Sequence, residues 1–421
     1  MRDRFSHIQP EKKRLIENFF SLAVLQGVTY ILPLLTVPYL MRVLGAEKFG
    51  LVAFAQAFIQ YFVIITDYGF DLSATREISI NRNNDKAIQE TVSSVFIIKI
   101  ILMFVSLSVL CTVIFLVPQF RTEWPIYIFT FGIVLGNIMF PTWFFQGMEN
   151  MKYITVLNII AKGIFTILIF IIVKTSEDYI YVPGITSLGW IIAGLISIWF
   201  MVYKFEIRPC LPPKSAILDR FRESTQFFLS RVSVSIYTSS NAFVLGLFTS
   251  NQMVGYYSAA EKLYSALRSL YQPLNNVLYP YISKTENILL YKKIFMLTCG
   301  ANVVVCVGLF VFANPFITII YGSFMQLTIH VYKIFVVITL FVIPSVLLGY
   351  PFLAALGYAK YANNSVIIGS VFHLIGLLIL SAVSLVNIFT VVWMVFITEF
   401  IVLVGRVYSI YKKRLWNGKK I

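Results

Sequence analysis

Apolar residues in this chain come in long blocks separated by short polar interruptions, with none of the two-residue alternation of a half-buried strand. The blocks fall near 15–41, 50–73, 91–117, 126–146, 154–173 and 183–203, then near 225–248, 256–282, 291–313, 332–354, 363–385 and 388–411. Each reaches the roughly 20 residues that a helix needs to cross hydrocarbon, so the pattern predicts about twelve transmembrane helices. The polar stretch YKFEIRPCLPPKSAILDRFRES separates the first six from the last six. This gives an N-lobe over 1–203, a linker over 204–224 and a C-lobe over 225–421. The piece after Asn314-Pro315, FITIIYGSFMQLTIH, is too broken for a crossing and reads as an external connection with a short interfacial helix.

The halves look alike. Gly50-Leu51-Val52-Ala53-Phe54-Ala55-Gln56 opens the second helix, and Gly255-Tyr256-Tyr257-Ser258-Ala259-Ala260-Glu261 opens the eighth. The fourth and tenth helices each end in a proline six residues before a glycine, Pro141 to Gly147 and Pro351 to Gly357. A six-plus-six repeat gives both halves the same orientation, an arrangement common in transporters that bind substrate between repeats.

One block departs from the greasy norm. Between Tyr256 and Ile282, a continuous helix would place Tyr257, Glu261, Ser265, Arg268, Gln272, Asn275 and Tyr279 within roughly 40° of one line, with leucines opposite. A face carrying an acid and an arginine is not lipid-facing and is expected to line a wet cavity. Other blocks carry similar stripes. The second helix has Gln56, Gln60, Asp67 and Asp71, the fifth Thr155, Asn158, Lys162 and Thr166, and the seventh Ser224, Arg231, Ser235 and Thr238 with Asn241 nearby. Lys99 and Ser106 lie on the third helix, and Gln26, Thr29, Pro33 and Thr36 on the first. Asp71, Arg76 and Arg406 lie near helix ends, where snorkelling to the interface accounts for them, and Lys262 is close enough to an end to do the same. Lys99, Lys162 and Arg268 sit roughly 12–20 Å deep, where snorkelling is hard. Serines and threonines on these faces have a bland role too, bonding the carbonyl one turn back. The cations Lys99, Lys162, Arg231, Lys262 and Arg268 outnumber the acids Asp67, Glu261 and Glu399, which suits an anionic cargo, while Gln, Asn, Ser and Tyr suit hydroxyl-rich cargo.

Composition agrees with the pattern: 58% of the 421 residues are apolar and 13% charged, against about a quarter charged in soluble domains. The formal charge of +15 would suit nucleic acid, but its placement excludes that reading. With the N-terminus in the cytosol, cytosolic segments hold 24 lysines and arginines and external loops five, so the charge is topogenic and both termini are cytosolic. Contact with anionic lipid headgroups is a further use of it. The first apolar run is longer than a signal-peptide core and has no small-residue cleavage site, so it reads as an uncleaved helix. Four cysteines form no CxxC pair and three histidines are scattered, so neither disulfide nor metal is expected.

Several stretches resemble a known family. PLLTVPYLMRVLGAEKFG, FAQAFIQYFVIITDYGFDLSATREIS and FPTWFFQGMENMKYITVLNIIAK in the first half are similar to the Wzx-type flippases of lipid-linked oligosaccharides. So are FFLSRVSVSIYTSSNAFVLGLF and GYYSAAEKLYSALRSLYQPLNNVLYPYIS in the second. The resemblance implies an all-α fold of two six-helix lobes like the MATE exporters and the lipid II flippase. It also implies a cationic central cavity, a bacterial inner-membrane location and an undecaprenyl-pyrophosphate oligosaccharide as cargo, with a glycan polymerase and a chain-length regulator as candidate partners. Arg268, Arg231, Lys162, Lys99 and Lys262 are the expected cavity cations. Glu261 and Asp67 are candidate gating acids or carriers of a coupling proton or sodium ion, and Gln56, Gln60, Asn158, Ser235, Thr238, Ser265, Gln272 and Asn275 are the expected polar lining. The sequence holds no GxxxxGK[ST] loop, so direct use of ATP and any other cofactor are not expected. A cation-coupled drug antiporter of the same fold is the alternative, although it calls for a cavity dominated by acids. A membrane glycan polymerase or ligase is disfavoured by short external loops and by the lack of a compact catalytic constellation.

Overall fold

Inside hydrocarbon a helix is the segment that satisfies its own backbone, so the long apolar blocks become helices. The computed structural model describes residues 10–322 and 325–417, with the side chains of 10–26, 28–31, 229–236, 238 and 417 excepted. It is helical, with no strand among the described residues. Nine helices among those residues are long and apolar enough to cross a membrane. The chain forms two compact units, one of residues up to Thr36 with Ala55–Ser235, the other of Val37–Phe54 with the chain from Ile236 onward.

In chain order the elements are α1 (Pro10–Asp67), α2 (Phe70–Ile80), α3 (Asp85–Leu116), a single turn α4 (Pro118–Arg121), α5 (Trp124–Met139), α6 (Thr142–Gly147), α7 (Met151–Ile172) and α8 (Tyr181–Tyr203). There follow α9 (Lys214–Phe248), α10 (Asn251–Ser269), α11 (Gln272–Thr285), α12 (Ile288–Val311), α13 (Ala313–Tyr321), α14 (Gln326–Leu347), a π-helical stretch Leu348–Ala354, α15 (Ala359–Ala382) and α16 (Ile388–Lys412). The first two expected helices are one long element interrupted at Gly45, whose φ of 73° and ψ of 170° are open essentially to glycine alone. The short helix expected after Asn314-Pro315 is α13. The linker is helical from Lys214 onward, because Ile217 and Phe221 give it an apolar face that packs on the core of the first unit.

That core is aromatic. Trp143, Phe144 and Phe145 of α6 are fully buried against Phe70, Ala74 and Ile78 of α2 and Leu157 of α7. At one end of the unit, Arg82 bonds the Gly147 carbonyl and pairs with Glu149 at 2.9 Å, while Arg220 pairs with Glu77 at 2.8 Å. The loops after α2 and α6 and the start of α9 therefore meet on one side. The second unit has an equivalent end, where Tyr291 stacks on Phe352 and Trp416 meets Phe352 edge-on, among Leu278, Ile282 and Ile410.

The repeat read from the sequence recurs in the packing inside each unit. In the first, α5 packs on α8, α7 on α8, and α2 on α6; in the second, α14 packs on α16, α15 on α16, and α11 on the π-helical stretch. Pro141 and Pro351 both interrupt their helices, since a proline lacks the N–H of the helical ladder. The Leu347 carbonyl, one turn before Pro351, accepts instead from the Tyr291 hydroxyl at 2.7 Å. Helix α12 exposes Leu297, Val304, Val307 and Val311, an outer face suited to lipid.

In the second unit, α1 crosses α10 at nearly the closest approach two backbones allow. A Cβ on Gly50 would lie 1.7 Å from the Asn251 carbonyl oxygen, and one on Gly255 would lie 2.0 Å from the Ala46 carbonyl oxygen. These two glycines are the matched positions of the repeat.

Candidate functional site

The polar block does not form one continuous helix. Pro273 has no N–H to give, and its ring would collide with the carbonyl one turn back, so α10 ends at Ser269 and α11 starts at Gln272. Tyr271 closes the break with a short-range bond to the Arg268 carbonyl. The stripe expected from Tyr257 to Tyr279 is therefore divided, with Glu261, Ser265 and Arg268 on α10 and Gln272 and Asn275 on α11.

On α10 the leucine and aromatic side is buried. Tyr264 stacks on Phe335 of α14 at 4.8 Å, and Tyr257 lies edge-on to the same ring at 5.7 Å. Those contacts fix the rotation of α10 and bury Tyr257, which the expected stripe had placed in line with Arg268, while Ser265 and Arg268 are exposed and Glu261 is half-buried beside the exposed Lys262. The Tyr257 hydroxyl donates to Glu261 at 3.1 Å. Arg268 lies within electrostatic reach of Tyr264, Tyr237 and Glu399. Tyr237 donates to the Glu399 carboxylate at 2.9 Å.

Arg406 belongs to the same group of charges, interacting with both Glu399 and Arg268. It does not snorkel. Its side chain is buried, with Nε donating to Ser365 Oγ at 3.1 Å and Nη1 donating to the Ser345 carbonyl and hydroxyl. The helix is non-helical at Gly349, and the guanidinium packs where a side chain there would stand, which draws Arg406 inward. Both guanidiniums lie within electrostatic reach of the Glu399 carboxylate, and the exposed one, Arg268, is the one available to a ligand. Beside them lies a buried polar network. His373 is hydrogen-bonded to Asn241 at 2.9 Å and to Thr398 at 2.8 Å, and its ring meets Tyr237 at 5.3 Å. Asn241 lies beside the polar stripe of the seventh block, but His373 is a lone polar position in its helix turn, so no periodic stripe announced the network.

In the first unit, Lys99 and Asp67 find each other. Lys99 Nζ lies 2.8 Å from Asp67 Oδ1, and the lysine is 1% exposed. The ion pair sets Lys99 apart from the cations able to meet a ligand directly. Asp67 ends α1 next to Tyr68, whose φ of 42° is strained for a non-glycine residue. Tyr68 is held between Phe221 and Phe228 of α9, at 4.5 and 4.7 Å, and its hydroxyl bonds Thr225 at 3.1 Å. Asp67 also lines a cavity of about 390 Å³ with Gln56 and Gln60 of α1, Asn137 of α5, and Thr186 and Trp190 of α8. On α7, Lys162 is half-buried, and Asn158 donates back to the Ile154 carbonyl at 2.9 Å, the bland role open to it. The Asn275 Oδ1 atom is buried without a hydrogen-bond partner among the described residues. The side chains of Arg231, Ser235, Thr238, Gln26 and Thr29 lie outside the described residues.

The Asp67–Lys99 pair makes a direct prediction. Removing one partner of a buried pair leaves an uncompensated charge and costs about 3–5 kcal/mol. Asp67→Ala should therefore reduce the heat-resistant, monodisperse protein recovered in detergent, and Asp67→Ala combined with Lys99→Leu should recover most of it. Equal losses in the single and double variants would show that the pair is not the cause.

Comparisons with known proteins agree with this architecture. The pattern of the family described as polysaccharide biosynthesis protein matches residues 15–286. A protein named putative O-antigen transporter from Escherichia coli (strain K12) is 32% identical over 295 residues, covering 68% of this chain and 70% of that one. A protein of the same name from Shigella dysenteriae is 28% identical over 375 residues, covering 85% and 91%. Among solved structures, the lipid II flippase MurJ in an inward closed conformation has a TM-score of 0.71 at 15% identity, covering 94% of this chain and 87% of that one. An inward-facing multidrug resistance MATE family transporter of the MOP superfamily has a TM-score of 0.69 at 14% identity, covering 96% and 100%. The fold is that of the MATE and MurJ proteins, and the chain belongs to the polysaccharide biosynthesis protein family.

Proposed function

We propose that this chain is a flippase, not an enzyme, which carries an undecaprenyl-pyrophosphate-linked oligosaccharide across a bacterial inner membrane. The cargo would be an O-antigen or capsule repeat unit, moved from the cytoplasmic to the periplasmic leaflet by alternating access. Twelve crossings and cytosolic termini complete the proposed topology. The observation that carries the reading is the exposed guanidinium of Arg268, on a helix too polar to face lipid, in a charge group with two arginines and one carboxylate. The O-antigen transporters among the relatives support the same cargo class.

The physics fits the task. A pyrophosphate cannot enter hydrocarbon unaided, since burial of an isolated charge is prohibitive and each unpaired hydroxyl adds several kcal/mol. A wet, positively charged path lowers that barrier while the isoprenoid tail stays in lipid. Outward movement of an anion from a negative cytosol releases about 2.3 kcal/mol per charge per 100 mV. Glu261, half-buried beside the exposed Lys262, is the proposed carrier of a counter-moving proton or sodium ion, with Asp67 the second candidate. A glycan polymerase and a chain-length regulator would receive the product.

The test is reconstitution. In proteoliposomes carrying a fluorescent lipid-linked oligosaccharide, the chain should raise the fraction open to an impermeant quencher well above that in protein-free vesicles. Equal rates in the two, with transport of a cationic dye by the same vesicles, would replace the flippase with the antiporter.

A further inference from the structure

The cavity in the first unit differs in character from the Arg268 group. Its wall carries amides from Gln56, Gln60 and Asn137, a hydroxyl from Thr186, a carboxylate from Asp67 and the indole of Trp190. Lys99 is buried against Asp67 and is not among the residues that line the cavity. The volume of about 390 Å³ falls in the range of small-molecule sites, roughly 300–1,000 Å³. The Asn137 Oδ1 atom is buried and accepts no hydrogen bond among the described residues.

Amides, a hydroxyl and a carboxylate accept from and donate to sugar hydroxyls. An indole face, with its negative π cloud, attracts the weakly positive C–H edge of a pyranose ring. Ile59, Val63 and Ile133 supply the apolar remainder, which a ring with few bare carbon faces tolerates. No lysine or arginine is among the lining residues, the nearby Lys99 being taken up by Asp67, so a pyrophosphate would meet a carboxylate at this wall and no exposed cation.

We infer that this cavity is a subsite for one neutral pyranose, the glycan end of the cargo and not its pyrophosphate. The choice of a glycan residue over a free sugar rests on the flippase reading above. The cavity discriminates against acidic sugars, because a uronic carboxylate would face Asp67.

Saturation-transfer difference NMR on the full-length chain in nanodiscs tests this with methyl β-D-glucopyranoside, methyl N-acetyl-β-D-glucosaminide and methyl β-D-glucuronide. Both neutral glycosides should take up saturation, with the glucuronide at least fivefold weaker. Trp190→Ala and Asn137→Leu should each lower the neutral signals at least fivefold, and Gln60→Ala, at an exposed side chain that disturbs no packing, should lower them severalfold. Gly300→Val, on α12 away from the cavity, should leave them unchanged. Equal signals in all variants, a stronger glucuronide signal, or no transfer to any glycoside from the wild-type chain would overturn the subsite. Displacement of the glycosides by sodium chloride but not by potassium chloride would overturn it in favour of a cation site. Loss of the subsite with Arg268-dependent transport intact leaves the flippase reading standing. Glycoside contact in a chain that moves no lipid-linked oligosaccharide removes the flippase reading and keeps the subsite.

Discussion

Arg268→Ala should lower surface glycan at least tenfold in cells that depend on this chain, with the amount of inserted protein unchanged. The substitution removes the exposed member of the Arg268, Arg406 and Glu399 group, leaving the carboxylate with the Tyr237 hydroxyl and the buried Arg406. A charge-assisted hydrogen bond contributes about 1.5–3 kcal/mol, and a guanidinium can give two to a pyrophosphate. Each 1.4 kcal/mol is about a factor of ten, so the loss of one such bond suffices for the expected effect. Arg268→Lys should keep the charge and lose the fork, giving an intermediate level. Electrophoresis of extracted glycolipid, normalised to membrane protein, checks the series. Wild-type glycan in Arg268→Ala would remove the charged-path mechanism.

Gly255→Val should abolish glycan export and lower the thermal midpoint of the purified protein by more than about 2 °C, a shift that corresponds to a loss of roughly 2 kcal/mol or more. The side chain would enter space already held by the Ala46 carbonyl, where its first carbon alone comes to 2.0 Å. Interiors are packed too densely to absorb that without moving a helix, and overpacking costs about 1–3 kcal/mol even where flexible side chains yield. Gly255→Ala should show the same effect in reduced form, and Gly50→Val should match Gly255→Val. Gly300→Val on α12, where a Cβ meets nothing within 4 Å, is the control and should be close to neutral. A midpoint for Gly255→Val within a degree of wild type would show that the crossing opens freely.

Much of this was legible in the sequence because the signals were local. Block lengths gave the helical fold, and the polar face of α10 followed from its 3.6-residue period. The matched glycines and prolines at Gly50, Gly255, Pro141 and Pro351 announced the repeat. Pro273 was in plain view too, yet the arithmetic of one unbroken helix ran through it and joined Gln272 and Asn275 to a face they do not share. What stayed hidden depends on partners distant in the chain. Lys99 meets Asp67 only because α1 and α3 fold together, so its depth suggested a ligand contact where the structure shows an ion pair. Arg406 looked interfacial from its place near a helix end, and only the kink at Gly349 explains its burial. His373 and Asn241 are 132 residues apart in the chain, and nothing but tertiary contact reveals them as one network. The cavity beneath Trp190 draws on three helices, and no single period could have assembled it.

The glycine crossing also constrains how this protein can change over time. Neither Gly50 nor Gly255 can yield room to a bulkier neighbour, because no smaller amino acid exists. The opposing atoms are carbonyl oxygens that every residue carries. Suppressors of a substitution at either position must therefore arise elsewhere, among residues such as Tyr264 and Phe335 that set where α10 lies. A selection for restored growth should return distant revertants and none at the contact itself.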